Sequence, residues 1–277
     1  MKKILLAFDG NHFSEGAFEF ARKLNERRRI LLTGIFLPEV DFALLSSYSE
    51  VAVTGLLTMP IVETHHKYIT TGSIEKFEKL CNIHLIDYNI HNDSIEFALP
   101  QIKKETRFSD LLILGSQSFY KNLGGTQPNQ YLEDTLHNAE CPVVVVPENF
   151  HFPQTNILAY DGSASSVYAI KQFAYLFPEL AVNPSILVFQ RNNKAEELPD
   201  EANIQELVGK HFHDLEIFNF DADPKAYFLS WLKRKNSAIL VSGSYGRSGF
   251  SRMFHKSFLS QIIEDHHIPV FISHQNN

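Results

Sequence analysis

The chain repeats itself, and the repeat narrows what it can fold into. A short apolar run ending in Asp-Gly opens each half: Ile4-Leu-Leu-Ala-Phe-Asp9-Gly10 and Ile157-Leu-Ala-Tyr-Asp161-Gly162. Further on, Asp110-Leu-Leu-Ile-Leu-Gly115-Ser116 is matched by Ser237-Ala-Ile-Leu-Val-Ser-Gly243-Ser244. Last, Cys141-Pro142-Val-Val-Val-Val-Pro147 is matched by Ile268-Pro269-Val-Phe-Ile-Ser273. The landmarks keep their order at offsets of 152, 128 and 127 residues, so the first half carries about 24 residues more than the second. The surplus fits residues 38–71, a long, Ser/Thr-rich and weakly periodic stretch. A period this long means two domains, not a solenoid. A length of 277 residues accommodates them as 1–150 and 151–277, with the seam near 148–154.

Patterning predicts the same elements in both halves. Residues 2–9 and 155–161 read as buried strands, followed by helices at 14–26 and 165–177 with Ser14 and Ser165 as plausible caps. Further strands are expected at 30–36 and 185–190, 83–88 and 214–220, 110–115 and 237–242, and 143–146 and 269–273. Helices are expected at 93–106 and 224–235 and at 129–138 and 257–266. Strand alternating with helix, with the strands rich in Ile, Leu and Val, implies a parallel sheet covered on both faces. The expected fold class is α/β: two tandem, doubly wound domains, each a five-stranded parallel sheet flanked by helices. Ligands of such folds bind at the carboxyl ends of the strands, where the strand order reverses. Asp9, Asp161, Gly115 and Gly243 all fall there.

Composition excludes other classes. With 44% apolar residues, 23 Phe and 10 Tyr, the chain forms a core and is not disordered. A net charge of −7 argues against nucleic acid as the main partner. Cys81 and Cys141 cannot build a disulfide framework and are expected as reduced, buried thiols in a cytoplasmic protein. The apolar run Ile4–Phe8 is too short for a signal peptide, and no stretch approaches the roughly 18 residues that span a bilayer. Neither nucleic acid nor a membrane is therefore an expected partner.

The sharpest local signal is Gly243-Ser-Tyr-Gly246-Arg247-Ser-Gly249-Phe-Ser-Arg252-Met-Phe-His255-Lys256-Ser257, which leaves a strand and enters a helix. Glycines permit close backbone approach to phosphate, and the helix start adds free N–H groups and the positive end of a dipole. It is neither a Walker A loop nor a Gly-x-Gly-x-x-Gly fingerprint. Together with the duplication, the two Asp-Gly openings and the Cys-Pro-Val and Ile-Pro-Val closings, this loop resembles the universal stress protein family in its tandem form. The resemblance implies an adenine nucleotide alpha hydrolase-like fold. It implies ATP or AMP as ligand in some members, a role in stress survival, and pairing of the two domains through their last strands.

That family's nucleotide motif is Gly, two residues, Gly, nine residues, Gly, then Ser or Thr. Gly243, Gly246 and Ser257 match it, while Lys256 stands where the family has its third glycine. By resemblance, Asp161 with Gly162 and Ser163 would meet the adenosine and Val188 would flank the base. The Gly243, Ser244 and Gly246 loop, with Arg247, Lys256 and Ser257, would hold the phosphates. Lys256 restricts close backbone approach but supplies a cation at a helix start. In the first half Gly115 is followed by Ser116-Gln117-Ser118 and the count reaches Pro128-Asn129, so that half reads as degenerate for nucleotide.

The expectation is a cytoplasmic, non-enzymatic module that holds ATP or AMP in its second half. No Gly-x-Ser-x-Gly elbow, catalytic base or magnesium-ligand set is visible, although weak ATP turnover stays open. The alternative is a nucleotide-free scaffold that docks a protein or a second copy of the chain through the insert, whose apolar residues include Phe42, Leu56 and Ile61. A third reading makes the insert a lid over the first half's pocket. The 13 histidines lack metal-ligand spacing, so no metal is expected. Arg27-Arg28-Arg29 and Lys233-Arg234-Lys235 read as solvated helix ends.

Overall fold

The computed structural model describes residues 1–9, 13–37, 63–91, 98–116, 135–190, 198–220, 224–243, 262–263, 265 and 267–273. In the first half β1 (Lys2–Asp9), α1 (Glu15–Arg27), β2 (Ile30–Leu37) and α2 (Glu63–Ile83) are followed by β3 (Asp87–His91), α3 (Ala98–Thr106), β4 (Leu111–Gly115) and β5 (Val143–Val146). The second half runs β6 (Thr155–Ala159), α4 (Ala164–Leu176), α5 (Pro178–Ala181), β7 (Ser185–Gln190), α6 (Glu201–His211), β8 (Leu215–Phe220), α7 (Pro224–Leu232), β9 (Ala238–Ser242) and β10 (Val270–Ile272). Residues 135–138 and 262–263 are helical, within the predicted last helix of each half. The insert residues 38–62 lie outside the described residues.

All ten strands form one sheet in the order β3-β2-β1-β4-β5-β10-β9-β6-β7-β8. Each half thus contributes five parallel strands in the same doubly wound order. The halves join through their last strands: β5 and β10 run antiparallel, with Val143, Val144 and Val145 opposite Ile272, Phe271 and Val270. Strands buried on both faces need unbroken apolar sequence, and β4, β5 and β9 are buried at every position.

The sheet separates two cores. On one face Ile4, Leu6 and Phe8 of β1 pack with Ala17, Phe20 and Leu24 of α1; on the other Leu5 and Ala7 pack with Ile102 of α3. The first core crosses the seam without interruption, taking in Val144, Phe271 and Phe173. Phe271 is fully buried, with its ring 5.4 Å from that of Phe173 and 5.9 Å from that of Phe177. Two cation–π contacts flank this core: Lys2 lies 5.3 Å from the Phe177 ring centre and Arg27 4.2 Å from that of Phe152. Each joins the start of one half's first strand region to the end of the other half's first helix. Lys2 also pairs with Glu179 of α5 at 3.5 Å.

The third strand departs from the sequence reading. Ile83 belongs to α2, and β3 starts at Asp87 rather than at 83. The helix ends in a tight turn in which the Ile86 N–H donates to the Cys81 carbonyl at 2.9 Å and Leu85 takes a left-handed φ of 53°. Apolar residues around this turn imitate a strand, but Ile83 and Leu85 point to solvent. Helix α2 also begins at Glu63, inside the stretch read as weakly periodic.

Candidate functional site

In the second half the strand order reverses between β6 and β9, which pair directly with Leu158 opposite Val241. Their carboxyl ends carry the Asp-Gly landmark and Gly243. Asp161 closes a local turn by accepting the Ser163 N–H at 3.0 Å. Gly162 takes a φ of +77°, which suits the only residue without a Cβ. The Ser163 hydroxyl caps α4 by accepting the Ser166 N–H at 3.2 Å, two residues before the predicted cap at Ser165. The Ser166 hydroxyl in turn donates to the Ser163 carbonyl at 2.8 Å.

Gly243 meets the same helix start. A Cβ on it would stand 2.3 Å from the Ser165 carbonyl carbon and 2.4 Å from the Ser166 nitrogen. Glycine is therefore required sterically where β9 gives way to the loop. Asp161, Gly162, Ser163 and Gly243 are brought together around the first turn of α4. Val188 lies one strand away on β7, opposite Ala159, and is fully buried among Ile157, Ala159 and Ile186. Ser244, Gly246, Arg247, Lys256 and Ser257 lie outside the described residues.

A contact that the sequence reading missed borders this turn. The Tyr160 hydroxyl donates to the Pro199 carbonyl at 2.8 Å, and Pro199 lies close enough to Gly162 that a Cβ there would meet it at 2.8 Å. The segment 198–200 is thus held across the end of β6. Burial, followed by the Asp200 and Asp161 carboxylates, pushes the Tyr160 phenol up to about 12. A tyrosine directly after the apolar run Ile157–Ala159 is the signal that could have shown it, since a buried hydroxyl needs a partner.

The corresponding position in the first half is arranged differently. Asp9 ends β1, Gly115 ends β4, and the Ser116 N–H donates to the Val146 carbonyl at 2.8 Å. The start of α1 is capped by Ser14, whose hydroxyl accepts the Ala17 N–H at 3.2 Å, and by Glu148, which accepts the Gly16 N–H at 2.9 Å. An internal carboxylate therefore occupies the helix start. Beside it Phe8 stacks on Phe13 at 4.6 Å and on Phe36 at 5.0 Å, with Phe77 of α2 edge-on at 5.9 Å. The chain's own rings fill this end of β1 and β2.

Among the described residues no group of three His, Cys, Asp or Glu side chains stands close enough to hold a metal ion. No described helix is long and apolar enough to cross a membrane.

No protein-family profile matches the sequence, and no curated protein sequence does. Solved structures do. A universal stress protein from Archaeoglobus fulgidus superposes with a TM-score of 0.69 at 13% identity, over 99% of this chain and 97% of that one. A chain from Pseudomonas aeruginosa described as a universal stress protein superposes with a TM-score of 0.56 at 10% identity, over 99% of this chain and 93% of that one. Similarity at this identity is carried by architecture, and the chain has the universal stress protein fold, with two such units sharing one sheet.

Proposed function

We propose that this chain is a cytoplasmic universal stress protein that binds an adenine nucleotide, ATP or AMP, in its second half and acts as a nucleotide-responsive module and not as an enzyme. The observation that carries the reading is the meeting of Asp161, Ser163 and Gly243 at the β6/β9 reversal, the crevice that doubly wound folds use for ligands. The start of α4 adds main-chain N–H groups and a positive dipole end to that crevice. Three of the four motif positions, Gly243, Gly246 and Ser257, support the same assignment, with Arg247 and Lys256 as the cations for the phosphates. The first half serves as the structural partner, since Glu148 already occupies its helix start and aromatic rings fill its strand ends.

Isothermal titration with ATP, ADP and AMP tests the reading. Binding is expected with one site per chain, lost in Gly246→Val and retained in Ser118→Gly. Absence of heat at millimolar ligand overturns it, and the reverse pattern of variants assigns the site to the other half. Mass spectrometry of the purified protein under native conditions checks for co-purified nucleotide.

A further inference from the structure

We propose that the amino end of the first half's sheet is a docking face for an anionic lipid surface. Three large apolar side chains project there: Ile83 is 60% exposed, Leu85 73% and Phe108 65%. Leu85, Arg29, Met1 and Phe108 stand within three residues of the starts of β3, β2, β1 and β4, four strands adjacent in the sheet, so all four lie at this end of it. Adjacent strands of the sheet lie about 5 Å apart. Exposed apolar residues scattered singly are ordinary, but several gathered at one end of a sheet mark an interaction surface.

Leu85 gives this end of the sheet its second argument. It occupies the left-handed position that closes α2, where glycine is the usual residue. A branched side chain there strains the backbone, and its exposure returns no burial energy in the folded chain. The hydrogen bonds of the turn hold this conformation, while a large apolar side chain that would gain from burial is left in water.

Charge selects the occupant. The chain as a whole carries −7, yet this end collects exposed cations: Arg28 and Arg29 after α1, and Lys103 and Lys104 in the last turn of α3. The carboxylates near them are engaged. Glu26 pairs with Arg22 and Lys23, Glu140 holds Arg107 through two contacts of 2.7 and 2.8 Å, Glu179 pairs with Lys2, and Asp110 accepts the Lys3 N–H at 2.8 Å. Glu26, Asp87 and Asp110 are exposed acids at this end, and Asp110 keeps its charge because its partner is the main-chain N–H of Lys3. Cations interleaved with protruding apolar side chains suit a bilayer surface, with the cations at anionic headgroups and the apolar tips among the acyl chains. The sequence argument set a membrane aside as a partner because no segment spans one, but a peripheral contact needs no span. This inference does not depend on nucleotide binding.

Co-sedimentation of the full chain with vesicles tests it. Vesicles of phosphatidylcholine with one-third phosphatidylserine are expected to pellet the protein, and pure phosphatidylcholine vesicles are not. Arg28→Glu with Arg29→Glu should weaken binding at least about tenfold, as should Leu85→Gly with Phe108→Ser, which leaves every charge in place. Phe108→Trp should blue-shift its fluorescence on adding the anionic vesicles. These positions are exposed, and circular dichroism is expected to show each variant folded. No binding, equal binding to both vesicle types, or binding unchanged by both double substitutions overturns the proposal; the first of these would turn attention to an acidic protein surface.

Discussion

The main-chain N–H of Gly16 donates to the Glu148 carboxylate at 2.9 Å, so the chain leaving β5 returns to cap the helix that follows β1. The approach is close: a Cβ on Gly16 would stand 2.1 Å from the Pro147 carbonyl oxygen. Gly16→Ala should therefore cost about 2 kcal/mol, the overpacking penalty exceeding the gain in helix propensity. Gly209, inside α6 with nothing within 4 Å of its Cβ position, is the control. Gly209→Ala should stabilise by about 0.5–1 kcal/mol. Urea unfolding of the two variants checks both signs.

The two halves should unfold together. Phe271 of one half lies opposite Val144 of the other and contributes to a core that runs through both. Phe271→Ala should cost about 3–5 kcal/mol. Circular dichroism and Trp231 fluorescence should follow one coincident urea transition in the parent chain.

Tyr160→Phe removes a buried donor and leaves the Pro199 carbonyl unpaired. A loss of about 1–2 kcal/mol is expected, read by thermal unfolding. Hydrogen exchange should become faster in residues 198–204, and the core strands β6 and β9 should be unaffected.

Stability should fall as pH rises from about 9 toward about 12. Burial pushes the Cys81 and Cys141 thiols from 9.0 up to about 12, and the Tyr160 phenol from 10.0 to about 12. The unfolded chain loses these protons first, so the stabilisation is complete below the unfolded values and disappears as pH climbs through the folded ones. Lys2 works in the opposite sense: burial lowers its pKa from 10.5, so folding is relieved of that cost as pH rises. Three groups against one set the net direction. Unfolding free energies measured across this range check it, and Cys81→Ala should flatten the slope.

Much of the architecture was legible because buried parallel strands demand apolar runs. Leu111–Gly115, Val143–Val146 and Ser185–Gln190 stand within a residue of their predicted bounds. The seam pairing expected from the resemblance is present strand for strand. The misplaced third strand has a physical cause, since Ile83 and Leu85 are apolar without being buried and their pattern carries no information about depth. The bounds of helix α6 were not legible, because Ile204 and Val208 alone are buried in it, too few to mark a stripe. At the candidate site, Asp161 and Gly243 could be placed from strand ends alone. The Glu148 cap and the Tyr160–Pro199 contact join residues 132 and 39 positions apart, a proximity that only the fold creates.

The antiparallel join of β5 and β10 has a consequence for how the assembly behaves in dilute solution. Two separate chains meeting through their last strands would come apart as their concentration fell. Here the connection through residues 147–154 keeps the partner strands in the same molecule, so the pairing persists at any expression level. It also frees the two sides of the join from having to match themselves. Val-Val-Val faces Val-Phe-Ile, an arrangement that a symmetric pair of identical chains could not adopt. The two copies are thereby free to diverge at their strand ends, with no loss of the scaffold that both require.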